Sequence, residues 1–165
     1  MTQTTSPSPD VQEMVAQSDT GARSPRGIQG RILWFVPLCW SLFQLWYASP
    51  LPFIFNFAIL NDTEARAIHL TFAIFLAFTA YPAMKNSPRD RIPAVDWVLA
   101  LVGSFSASYI YIFYTELAGR SGAPTTFDIV AAVFGMILLL EATRRALGPP
   151  LMVVAAVFLL YTFGG

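Results

Sequence analysis

The sequence has one cysteine, Cys39, one histidine, His69, and charge at only 12% of its 165 positions. The lone cysteine excludes an intrachain disulfide and any CxxC redox pair. The lone histidine excludes a bis-histidine haem and a histidine-based metal cluster built within one chain. Ten basic residues balance ten acidic ones, so there is no electrostatic case for a nucleic-acid partner. Also missing are a Walker A loop, a GxSxG elbow, an HExxH helix and a glycine-rich dinucleotide turn. No active site is evident, no cofactor is expected, and the chain does not read as an enzyme. Ordinary soluble domains carry about 25% charged residues, and a small fold with so much less could not cover its apolar surface.

Apolar residues fill the difference, at 55% of the chain with a mean hydropathy of +0.55. They gather into runs that reach or approach the length, about 20 helical residues, that crosses a hydrocarbon layer. The expected fold class is all-α, a polytopic integral membrane helical bundle with four transmembrane helices and the start of a fifth. Spans are expected at about 31–49, 65–84, 95–117 and 127–147, and a fifth or linking helix at 149–165. That last segment ends in Gly164-Gly165 with no polar flank, and reads as the point where a longer protein would continue. Between the first two spans lies "PLPFIFNFAIL". Pro50 and Pro52 should break a helix there, so the stretch reads as an interfacial or re-entrant piece.

Residues 1–30, "MTQTTSPSPDVQEMVAQSDTGARSPRGIQG", are rich in Ser, Thr, Pro, Gln and Gly and read as a disordered cytoplasmic tail. A cleavable signal peptide needs a basic start closely followed by a short apolar core. Here the apolar residues arrive in quantity only at Ile32, so the first hydrophobic segment is expected to stay in the mature protein.

Basic residues set the direction, because Lys and Arg are enriched in short cytoplasmic loops. Arg23, Arg26, Arg31, Lys85, Arg89, Arg91, Arg144 and Arg145 fall on one side, against Arg66 and Arg120 on the other. The N-terminus is therefore expected in the cytoplasm. Trp34 and Trp97 then fall at inner boundaries, and Trp46, Tyr47, Tyr111 and Tyr114 at outer ones, where amphipathic rings prefer to lie.

The stretch "GMILLLEATRRALGPPL" becomes an inner helix end. Arg144 and Arg145 sit in its last turn, facing the negative end of the helix dipole. Glu141 lies three and four residues before them, so a same-helix pair relieves part of its desolvation. Two readings follow: a positive-inside anchor with a satisfied acid, or an interhelical lock or pathway element, since intramembrane acids are costly and usually functional. Asp96, at the start of the third span beside Trp97, falls at the same face and within reach of the arginine pair if the third and fourth spans form a hairpin. Small residues support that hairpin: Gly103 with Ala107 and Ser104 with Ser108 on one helix, Ala131 with Gly135 on the other.

On the outer side, His69 lies below Glu64 and Arg66, either as an interfacial residue hydrogen-bonded to a neighbour or as a proton relay. Glu116, Arg120 and Asp128 flank the loop "TELAGRSGAPTTFD". They read as a solvated loop with Asp128 favouring a helix start, or as a docking surface for an extracytoplasmic partner.

The ordered pattern "EARAIHLTFAIFLAFTAYPAMK", then "VDWVLAL", then "SGAPTTFDIVAAVFGMILLLEATRRALGPPLMVVAAVFLLY" resembles the N-terminal region of the fused permeases of tripartite ATP-independent periplasmic (TRAP) transporters, those partnered by binding proteins of the TAXI type. The resemblance runs from about Ile32 onward, and "LLLEATRR" with its spacing from "DW" is its most specific part. It implies a four-helix unit corresponding to the small permease subunit, in a bacterial inner membrane, followed by a helix leading into the large permease domain. In that family a periplasmic solute-binding protein delivers solute, and the large domain carries the solute and ion sites and moves as an elevator while the small unit stays fixed. No solute or ion ligand maps onto this chain, so it is expected to be inactive alone. Two other classes stay open: a small membrane enzyme, which would need a polar cluster facing a cavity, and a free-standing membrane interaction protein, which would need only a stable bundle.

Overall fold

The computed structural model describes residues 21–84 and 87–164, and among them the ordered elements are all helices. Residues 1–20 of the expected tail lie outside the described part. The chain runs α1 (Ile28–Ala48), α2 (Leu51–Phe55), α3 (Asp62–Ala80), α4 (Ala94–Ile112), α5 (Tyr114–Gly119), α6 (Thr126–Leu147) and α7 (Pro149–Gly164).

Local chemistry sets these ends. Helix α3 starts at a reciprocal capping box: Glu64 N–H donates to Asn61 Oδ1 at 3.0 Å and Asn61 N–H to Glu64 Oε2 at 2.9 Å. That pulls the start three residues ahead of the expected 65, and the helix ends at Ala80 rather than 84, just before Pro82. A second box, Thr125 with Asp128, opens α6. Each box satisfies amide donors that a helix start leaves unpaired. Gly148, at φ 89°, closes α6 in a conformation that suits glycine, and Pro149 and Pro150 open α7, where missing amide hydrogens do no harm.

One expectation needs correction and another needs adding to. The run expected as one helix over 95–117 is interrupted: Phe113 leaves helical geometry at φ −107°, ψ 26°, and α5 is a separate short piece. The apolar run continues through the break, so neither a proline nor a glycine marks it. Second, α4 packs on α6 as expected, but the more closely packed pair is α3 with α4. Ser104 Oγ donates to the Thr71 carbonyl at 3.3 Å, and the Ser108 and Thr71 hydroxyls meet at 2.9 Å. A Cβ placed on Gly103 would come within 2.7 Å of Ile74 Cγ2 on α3, but 3.6 Å from Leu138 on α6. Gly103 thus lets α4 close on α3. Gly135 has the looser role, its virtual Cβ 3.4 Å from Ser106 Cβ.

The core sits where these three helices meet, around Ile74, Phe78, Ala100, Ala107, Leu138 and Ala142. Helix α1 leans on α3 through aromatic packing, with Trp40 stacked on Phe72 at 6.1 Å between ring centroids. The segment after α1 folds back so that Phe55 stacks on Trp46. Helix α7 leans mainly on α6.

Two helices, α4 and α6, are long and apolar enough to cross a membrane. Only 28% and 17% of their most apolar windows are buried, whereas the core helix of a soluble protein would be mostly enclosed. Their outward faces present large apolar side chains such as Phe105 at 55% and Ile137 at 58% exposure, and α7 adds Phe158 at 68%. Exposed apolar side chains in this number are what lipid or another protein would cover.

Candidate functional site

Charge concentrates at the end of the bundle where α3 finishes, α4 begins and α6 finishes. Asp96, in the first turn of α4, is buried. One of its oxygens, Oδ1, accepts from Arg145 Nη1 at 2.7 Å, and the other, Oδ2, accepts from Arg23 Nη2. Arg145 also donates through Nε to Glu141 Oε1 at 2.7 Å, and Arg144 holds both Glu141 oxygens, each at 2.7 Å. Five side chains form one continuous network of three guanidiniums and two carboxylates. The guanidinium of Arg145 also lies over the Phe78 ring, 4.7 Å from its centroid, which adds a cation–π contact.

Arg23 is the residue that sequence reasoning missed. Its side chain is fully enclosed, although it stands in a stretch expected to be a disordered tail; from residue 21 onward that expectation is corrected. Arg23 Nη1 donates to the carbonyls of Phe78 and Thr79 at 3.2 and 3.3 Å, and its backbone N–H to that of Ala80 at 2.8 Å. These are carbonyls of the last turn of α3, which have no partners within their own helix. A residue some 55 positions upstream therefore caps α3 in trans, with its positive charge at the negative end of the helix dipole. A third donor, Nε, reaches the Pro88 carbonyl at 3.2 Å, and Ser24 N–H donates to the Arg89 carbonyl at 3.0 Å.

The structure thus brings Asp96, Glu141, Arg144 and Arg145 together as their spacing suggested. Guanidiniums engage both Asp96 oxygens and both Glu141 oxygens, so the network ties the start of α4 to the end of α6. Gly103 and Gly135 lie away from it, in the packed interior and on the α6 face respectively.

The residues expected on the other face divide into separate sites. Asp128, buried in the first turn of α6, accepts from Tyr109 Oη at 2.6 Å, from Arg120 Nη2 at 2.9 Å and from Thr125 N–H at 2.7 Å. Tyr109 was not singled out from sequence, since a tyrosine within an apolar run gives no sign of its partner 19 positions on. Glu116 is exposed and stands outside this group. Arg66 pairs with Asp62 in solvent, and Glu64 is used in the α3 cap. Neither engages His69, whose Nδ1 accepts from Trp40 Nε1 at 2.8 Å, with Phe43 edge-on at 5.1 Å. An accepting Nδ1 leaves the ring proton on Nε2. Among the described residues no group of three or more His, Cys, Asp or Glu side chains is placed to hold a metal ion.

Compared with known proteins, the chain matches no family model, no curated protein and no solved structure.

Proposed function

We propose that this chain is a membrane-embedded scaffold unit of a TRAP-type transporter, placed in a bacterial inner membrane and unable to move solute alone. The observation that carries the reading is the interlocked arginine–carboxylate network, which joins the α3, α4 and α6 ends to the segment before α1. A pathway through a membrane needs polar groups that can release and regain partners. Here the buried ones hold each other, as suits a fixed element beside a moving one. In this reading α1, α3, α4 and α6 cross the bilayer with the N-terminus in the cytoplasm. The apolar faces of α6 and α7 meet lipid and a large permease domain, and the α5 loop faces a periplasmic solute-binding protein.

Three experiments test it. Reporter fusions after Ser87 and Ala146 are expected to report cytoplasm, and fusions after Asp62 and Ser121 periplasm. The opposite pattern would overturn the orientation. Liposomes holding the 165-residue chain, supplied with TAXI-type binding proteins, candidate organic acids and a sodium gradient, are expected to show no uptake. Co-expression with the large permease domain of a TRAP transporter is expected to yield a co-purifying complex. Gradient-driven uptake by the chain alone would end the scaffold reading, and failure to pair with any such domain would favour a free-standing membrane interaction protein.

A further inference from the structure

A cavity of about 360 Å³ opens beside the charged network, lined by Gly21, Pro82, Ala83, Arg89, Arg144 and Arg145 among others. At about 30 Å³ per water, it has room for roughly a dozen waters, ample for a tetrahedral phosphate and its ester oxygens. Three arginines face it, and they differ in what they have left to offer. Arg145 is enclosed and committed to Asp96 and Glu141. Arg144 is one-third exposed and uses Nε and Nη2 on Glu141 and the Ala83 carbonyl, which leaves Nη1 without a partner among the described residues. Arg89 is exposed and makes no ion pair among the described residues. Its guanidinium lies against Gly21, which stands at φ 65°, and a Cβ there would come within 3.0 Å of Arg89 Nη2.

Among the described residues, the ion pairs of Arg23, Arg144 and Arg145 go to two carboxylates, Asp96 and Glu141, and Arg89 adds a fourth cation, so the described cations of this cluster outnumber the carboxylates paired with them. Leu147, three residues beyond Arg144 on the same helix, is 67% exposed, and Leu151, in the first turn of α7, is 49% exposed. A cationic pocket that borders an apolar helix face has the two halves of a lipid site: donors for the phosphate and a wall for the chains. Basic pockets between helices on the cytoplasmic side are where anionic headgroups bind.

We propose that this pocket binds the phosphate of an anionic phospholipid through Arg89 and Arg144, with the acyl chains along α6 and α7. The proposal rests on the membrane reading given above. It is tested on the full chain purified in mild detergent, by native mass spectrometry after exposure to equimolar phosphatidylglycerol and phosphatidylcholine. Preferential retention of phosphatidylglycerol is expected. Arg89→Gln is expected to weaken that retention about fivefold, the equivalent of ~1 kcal/mol for one arginine near an anionic surface. Arg66→Gln, at the start of α3 and paired with Asp62, is expected to leave it unchanged. Equal retention of the two lipids, or an Arg89→Gln effect no larger than that of Arg66→Gln, overturns the proposal. Displacement of the lipid by millimolar inorganic phosphate assigns the pocket to the free anion and overturns the lipid assignment. Reconstitution into phosphatidylcholine vesicles separates the two readings. A chain that inserts there but shows no anionic preference removes the lipid site alone, whereas a chain that inserts into no vesicle removes the membrane reading beneath it.

Discussion

Replacing Arg23 by alanine removes a side chain that makes four hydrogen bonds in an enclosed site: to the Pro88, Phe78 and Thr79 carbonyls and to Asp96. Hydrogen bonds to a charged group contribute about 1.5–3 kcal/mol each, so a naive sum runs to roughly 6–12 kcal/mol. That sum is too large, because the bonds of one rigid guanidinium are not independent and Asp96 keeps its bond to Arg145. The better guide is the loss when one member of a buried pair is removed, about 3–5 kcal/mol. Most single substitutions cost far less than this, near 1 kcal/mol. Reversible unfolding of the purified chain in mixed micelles, followed by tryptophan fluorescence, measures the difference. The cycle formed by Arg23→Met, Asp96→Asn and the double variant isolates the pair. A coupling of about 1–3 kcal/mol is expected, because the double variant leaves no carboxylate facing an empty site. If Arg23→Ala costs less than about 1 kcal/mol, within the ordinary range for single substitutions, the segment before α1 is not docked and the trans cap of α3 does not exist.

Gly103→Ala is expected to destabilise the bundle by about 1–3 kcal/mol through overpacking against Ile74, whereas Gly135→Ala should be nearly silent in the same unfolding measurement; equal effects would refute the assigned close approach. Asp128→Ala should lower the melting temperature more than Tyr109→Phe, since it strips partners from Tyr109, Arg120 and Thr125 together, and a larger effect of the tyrosine change would break that ordering. Trp40→Phe keeps the stack on Phe72 but removes the donor to His69, so the imidazole ¹⁵N shifts should move while the helical circular dichroism does not; unchanged shifts would remove the Trp40–His69 bond.

Helix existence was readable because it depends on local pattern. The apolar runs, the prolines at 50, 52, 149 and 150, and the Glu141, Arg144 and Arg145 spacing each carry their meaning within a few residues. Asp96 was legible as well, since an acid at the start of an apolar run has few partners to choose from. Arg23 was not: its composition is that of a tail, and its acceptors lie 55 to 73 positions away. Only a fold that returns the ends of α3 and α4 to the same place gives it a role. The Phe113 break and the closer approach of Gly103 to α3 than to α6 have the same origin. A small residue announces that something comes close, and the sequence around it does not say which helix.

The two arginines that bracket Asp96 differ in when they exist. Arg23 leaves the ribosome before the carboxylate does, and Arg145 follows it 49 residues later. During that interval a growing chain has one of the two cations that finally hold Asp96, and that cation is on the N-terminal segment. Shortening the segment therefore strikes the unfinished chain, at the stage when an acid at the head of an apolar helix is most exposed to quality control. Pulse–chase yields of chains lacking residues 1–25 should fall further than the stability of the finished protein, and equal losses would show that Arg23 matters only once α6 is complete.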